Sequence, residues 1–141
     1  MRIKFYLLLI FVSSLFNACS QDANQVQSTE KSPILELLGP KEFAEKLKTQ
    51  PGVLIDIRTA SEHKKGIIPD AQLIDFFSEN FEVALNNLDK SKTYYIYCAS
   101  GGRSSEAAEL MSKKGFIHVV DLDGGIKKWK DANFPIQALP N

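Results

Sequence analysis

The sequence predicts a single α/β domain, a mainly parallel sheet with helices on both faces. Three observations carry that expectation. VLIDI at 53–57, TYYIY at 93–97 and the run at 119–122 are short, nearly continuous apolar stretches, as strands buried on both faces tend to be. Amphipathic helical patterns lie between them, and strand alternating with helix pairs strands in parallel. The length of 141 residues leaves room for one domain and a short appendage.

Residues 1–18 are expected to lie outside that domain as an export signal. Arg2 and Lys4 form a basic start, and the apolar run at 5–12 is too short for a comfortable membrane span. The segment ends in LFNAC, which resembles the lipobox of a bacterial lipoprotein signal, with Phe16 where leucine is usual. That resemblance implies cleavage before Cys19 and a lipid on Cys19. The protein would then be exported and held by acyl chains at a bacterial cell membrane, on the periplasmic side. Ser20, rather than aspartate, after the cysteine leans toward the outer membrane. Residues 19–33 are polar and read as a flexible tether.

The domain is expected to occupy 34–141. Shorter strand candidates lie near 35–38 and 71–74. Pro40 can open a helix that sets Phe43, Ala44 and Leu47 on one face. Phe77, Phe81, Ala84, Leu85 and Leu88 repeat at helical spacing and predict a second helix. Ala107, Leu110 and Met111 predict a third. Lys113 and Lys114 suit its negative end, Gly115 can take a left-handed cap, and Phe116 is placed to fold back on Met111.

Composition excludes some function classes. Acidic and basic side chains balance to a formal charge of zero, and the lysines fall in separate pairs, so a nucleic-acid surface is not expected. His63 and His118 stand far apart without cysteine or clustered carboxylates at ligand spacing, so no metal site is expected.

The chain has 2 cysteines. With Cys19 assigned to the lipid, Cys98 has no disulfide partner and needs another reason to be there. It follows TYYIY at the carboxyl end of a strand, where functional groups collect in open parallel sheets. Ala99, Ser100, Gly101 and Gly102 come next, and a helix is expected to begin near Arg103 or Ser104. Small residues let the backbone curl so that successive N–H groups point inward. Those amides, the helix end and Arg103 would stabilise a thiolate, the nucleophilic form of sulfur. A buried structural thiol beside an ordinary glycine turn is the bland alternative.

CASGGRS at 98–104 resembles the active-site loop of single-domain rhodaneses, a Cys-x-x-Gly-x-Arg-Ser pattern. LIDIRTASEHKKGIIPDA at 54–71 and VDLDGGIKKWKDANFP at 120–135 resemble two further segments of that family, in the right order. Ile67 replaces the family's usual histidine, His63 stands where an aromatic is common, and Asp70 and Asn133 stand where glycine is usual. The resemblance implies a rhodanese-like fold and a monomeric sulfurtransferase with no cofactor beyond a covalent persulfide on Cys98. The implied substrates are a small sulfur-containing anion such as thiosulfate and a thiol or cyanide acceptor. The amides of 99–103 would hold the anionic persulfide. Arg103 would either touch the donor or brace the loop.

Asp56 and Arg58 end an earlier strand near the same face. Arg58 reads as an anion guide and Asp56 as a loop anchor, or the two as an internal ion pair tying strand to loop. Trp129 reads as a core anchor rather than a substrate platform. Two other functions stay open. A phosphatase on this fold uses a loop one residue longer between cysteine and arginine, to fit a tetrahedral phosphoryl group. A tethered relay of persulfide sulfur, or a partner-binding module, is the other.

Overall fold

The structure, a computed structural model, describes residues 32–139. The expected export signal, Cys19 and most of the tether lie outside the described residues. Five strands, β1 (Ile34–Leu38), β2 (Val53–Asp56), β3 (Gln72–Leu73), β4 (Thr93–Tyr97) and β5 (His118–Leu122), form one sheet in the order β1-β5-β4-β2-β3. Every pairing is parallel. The apolar runs form β2, β4 and β5, which sit inside the sheet, whereas β1 is an edge with Leu35 and Leu37 exposed.

The helices are α1 (Pro40–Thr49), α2 (Ala60–His63), α3 (Phe81–Asn86), α4 (Gly102–Lys113) and α5 (Gly125–Asp131). Strand alternation divides the core into two. Tyr94, Ile96 and Cys98 face Phe81, Leu85, Ala107, Ala108 and Met111 from α3 and α4. Tyr95 and Tyr97 face Phe43, Ile126 and Trp129 from α1 and α5. Each fully buried large apolar side chain of this kind is worth about 1.5–3 kcal/mol, so the central strand is anchored from both sides. Trp129 is a core anchor, with its indole N–H donating to the Pro135 carbonyl at 2.9 Å.

α4 stops as its sequence implies. Gly115 has φ +88°, and the Phe116 N–H reaches back to the Met111 carbonyl at 3.1 Å, satisfying an orphan acceptor of the last turn. α3 differs from expectation, because it starts at Phe81 and leaves Phe77 in a turn before it. The Asp75 carboxylate accepts from the Phe77 N–H at 2.9 Å, and Ser78 Oγ accepts from the Asn80 N–H at 3.2 Å. These local side-chain acceptors hold the chain in turns where a helix would need those amides. β3 is also shorter than the apolar signal at 71–74.

Asp70 and Asn133 are the two non-glycine residues with positive φ among the described residues, at +65° and +60°. They are the positions at which the rhodanese pattern has glycine. Their short polar side chains tolerate the left-handed region better than other residues do, so both turns survive the exchange.

Candidate active site

Cys98 follows β4 directly and lies at the carboxyl end of the parallel sheet. Its side chain is 1% exposed, at the floor of the loop that leads into α4. Gly101, the N-cap of α4, takes φ +104°, which turns its N–H onto the Cys98 sulfur at 3.1 Å. Ser104 Oγ approaches the same sulfur at 3.6 Å. Burial pushes the thiol pKa up, but hydrogen bonds from the Ser104 hydroxyl and amide and from the Ser100 and Gly101 amides outweigh it. The thiol therefore lies below its ordinary value. α4 begins at Gly102, slightly earlier than the sequence suggested, so its first-turn amides lie directly under the sulfur.

The loop amides point inward because the loop carbonyls are held from behind. The first-turn amides of α5 do this: Ile126 N–H donates to the Cys98 carbonyl at 2.9 Å and Lys127 N–H to the Ala99 carbonyl at 3.1 Å. With the Ala99 carbonyl drawn toward α5, the same peptide plane turns the Ser100 N–H toward the sulfur. The closing segment thus acts on the cysteine through backbone alone, a role for Gly125 and its neighbours that residue-type reasoning did not assign.

Arg103 braces the loop. Its guanidinium makes a two-pronged pair with Glu62, at 2.9 Å to Oε2 and 2.8 Å to Oε1, and lies over the Phe77 ring at 5.5 Å. The arginine is raised above its ordinary pKa chiefly by Glu62, with a smaller contribution from the charge on Cys98. Glu62 was not among the expected site residues. A signal for it existed, since Thr59 and Glu62 have capping-box spacing: the Glu62 carboxylate accepts from the Thr59 N–H at 3.0 Å at the start of α2.

Glu62 is pulled down to about 2 by the Arg103 hydrogen bonds, with help from Thr59. A depressed carboxylate adds stability above its unfolded value and loses it as pH falls through the folded one. Both side chains are partly exposed, so solvent screening reduces the effect, and Glu62→Gln is expected to cost about 1–2 kcal/mol near neutral pH. Urea midpoints should show that deficit shrinking between roughly pH 4.5 and 2. A deficit that stays constant across that interval would mean that the ion pair contributes nothing.

Asp56 and Arg58 form a buried ion pair, with Arg58 Nη2 at 2.6 Å from Asp56 Oδ2 and the two side chains 4% and 0% exposed. Arg58 Nη2 also donates to the Gly66 carbonyl at 2.8 Å, and the Arg58 N–H donates to Asp56 Oδ1 at 3.0 Å. This ties the end of β2 to the loop after α2. Tyr97 closes the arrangement, its ring 5.8 Å from the Arg58 guanidinium carbon and its hydroxyl accepting from the Ile68 N–H at 3.0 Å. His63 lies beside it, with Nε2 at 3.4 Å from Asp56 Oδ1. The structure therefore separates two groups: Cys98, its loop, Ser104 and Arg103 surround the sulfur, while Asp56 and Arg58 are occupied with each other.

Comparison with known proteins follows the same lines. Residues 39–132 match the rhodanese-like domain. A thiosulfate sulfurtransferase GlpE from Pseudomonas savastanoi pv. phaseolicola is 34% identical over 100 residues, which cover 71% of this chain and 92% of that protein. A sulfurtransferase from Allochromatium vinosum is 34% identical over 90 residues, covering 64% of this chain and 82% of that protein. The crystal structure of a rhodanese-like domain protein from Staphylococcus aureus superposes with a TM-score of 0.64 at 31% identity, over 74% of this chain and 99% of that one. The chain belongs to the rhodanese-like domain family.

Proposed function

We propose that this protein is a sulfurtransferase that moves sulfane sulfur from a thiosulfate-like donor to a thiophilic acceptor through a persulfide on Cys98. The observation that carries the reading is a thiol with a lowered pKa at the centre of an amide-lined loop. The Cys98 thiolate attacks the outer sulfur of the donor. The donor's S–S bond breaks, sulfite leaves with the electron pair, and a persulfide remains on Cys98. Cyanide or a thiolate then attacks the terminal sulfur and returns Cys98 as thiolate. The amides of Ser100, Gly101 and Ser104 supply fixed dipoles to the negative charge in both steps, at no reorganisation cost. The Cys19 lipid would place this chemistry at a membrane surface outside the cytoplasm.

Phosphate-ester chemistry is disfavoured by the length of the loop. Four residues separate Cys98 from Arg103, one fewer than the phosphatase loop uses to fit a tetrahedral phosphoryl group. A persulfide relay between proteins uses the same first step and differs only in the acceptor.

Protein purified without reductant and treated with thiosulfate is expected to gain one sulfur on the Cys98 peptide in mass spectrometry. Adding cyanide should remove it and release thiocyanate, and Cys98→Ser should do neither. Turnover of phosphate esters with no sulfur adduct would overturn the assignment. An adduct that a protein thiol discharges and cyanide does not would turn it into a relay.

A further inference from the structure

A buried carboxylate sits behind the cysteine loop without an evident use. Asp121 is the next-to-last residue of β5 and is 2% exposed, with Oδ1 lacking a hydrogen-bond partner among the described residues. Its register partner on β4 is Ile96, and Cys98 lies two residues further along, so both project toward the α4 face. Ser104, itself 0% exposed, stands in the first turn of α4 near enough for its hydroxyl to pull the Asp121 carboxyl down. The same hydroxyl addresses the Gly101 carbonyl at 3.1 Å and the Cys98 sulfur at 3.6 Å. A serine has a single proton to donate. Gly101 O, Cys98 Sγ and an ionised Asp121 therefore compete for it.

We propose that Asp121 is a positioning residue for Cys98 that acts through the Ser104 hydroxyl. Protonated, Asp121 donates to Ser104 Oγ and leaves the serine proton for the sulfur. Ionised, it accepts that proton's hydrogen bond and sets a second negative charge behind the thiolate. Both changes raise the thiol pKa, so protonation of Asp121 favours the reactive form of Cys98.

The surroundings suit such a role. The neighbours of Asp121 across the strands, Ile96 on β4 and Leu37 on β1, are apolar, as are Ala107 and Ala108 on α4. The charge that acts on Asp121 is that of Asp123 just after β5, itself paired with Lys128, while Cys98 follows the neighbouring strand and the Arg103 charge at the start of α4 is paired with Glu62. Burial first, and then the charge on Asp123, lift Asp121 to about 6 against the pull of the Ser104 hydroxyl. The switch therefore falls within the ordinary range of environmental pH.

The inference rests on Cys98 being the nucleophile, and iodoacetamide alkylation followed on the Cys98 peptide by mass spectrometry reads that thiol without any sulfur transfer. In the full chain, the logarithm of the alkylation rate is expected to climb with pH, flatten near pH 6, and climb again. Asp121→Asn should remove the shelf and speed alkylation near pH 7.5 by about 3–10-fold, tenfold being one unit of thiol pKa. In a Ser104→Ala background, Asp121→Asn should have a smaller effect, because the hydroxyl that carries the coupling is gone. A wild-type profile without a shelf overturns the proposal with no variant needed, as does an Asp121→Asn profile that follows the wild type. A shelf in a protein that transfers no sulfur would leave this coupling standing and remove the sulfurtransferase reading alone.

Discussion

Gly125→Ala is expected to destabilise the domain by about 3 kcal/mol or more and to take the reactivity of Cys98 with it. Gly125 opens α5 at φ +57°, where an alanine pays about 1–2 kcal/mol for the left-handed conformation. The larger difficulty is space. An added Cβ would press on the Cys98 carbonyl oxygen and stand 2.8 Å from Ala99 C and from Ser100 N. These are backbone atoms of the Cys98 loop and cannot swing aside as a side chain does. To relieve the contact, α5 must part from the loop, breaking the bonds from the Ile126 and Lys127 amides at roughly 1 kcal/mol each. The loop carbonyls would then be free to rotate and the inward N–H groups would leave the sulfur, so the thiol pKa should rise. Gly124→Ala is the control. It shares the positive φ, but its Cβ would meet the flexible side chain of Lys128. Urea titration and the pH dependence of Cys98 alkylation should separate the two variants. Equal losses in both would show that backbone strain, and not the loop contact, sets the cost.

What the sequence revealed and what it hid divide along chain distance. The buried strands were legible because TYYIY and VLIDI advertise burial on both faces, and the α4 ending was legible because Lys113, Gly115 and Phe116 act on their own neighbours. The cysteine loop is likewise local, with Gly101 supplying the conformation that aims its own amide at the sulfur. The partners that fix that loop are remote. Glu62 lies on α2 and the α5 amides follow β5, and no periodicity in the chain links either to residue 103 or residue 98. Phe77 shows the opposite failure. Its helical spacing from Phe81 suggested core, yet Asp75 and Ser78 claim the intervening amides and leave the ring exposed under Arg103. Asp121 sits within HVVDL, where strand character is plain from its neighbours and the cost of burying a carboxylate is not.

Removing one half of the buried ion pair is expected to be as damaging as the Gly125 exchange. In Arg58→Met, the Asp56 carboxylate stays 0% exposed and is left with the residue 58 N–H, the Tyr97 hydroxyl and the nearby His63 ring, none of which carries a fixed positive charge. The Gly66 carbonyl loses its guanidinium donor as well. An uncompensated buried charge of this kind costs about 3–5 kcal/mol, against a stability of about 5–15 kcal/mol for a typical domain. The pair itself need not be stabilising, since two desolvated ions replaced together by apolar groups can come out level. The double variant Asp56→Leu with Arg58→Met is therefore expected to recover much of the loss seen in Arg58→Met alone. Chemical denaturation of wild type, both single variants and the double variant measures the coupling directly. Recovery of stability without change in Cys98 alkylation would assign Asp56 and Arg58 to holding β2 against the loop after α2. Recovery of stability with sulfur transfer still lost would place the pair in the reaction instead.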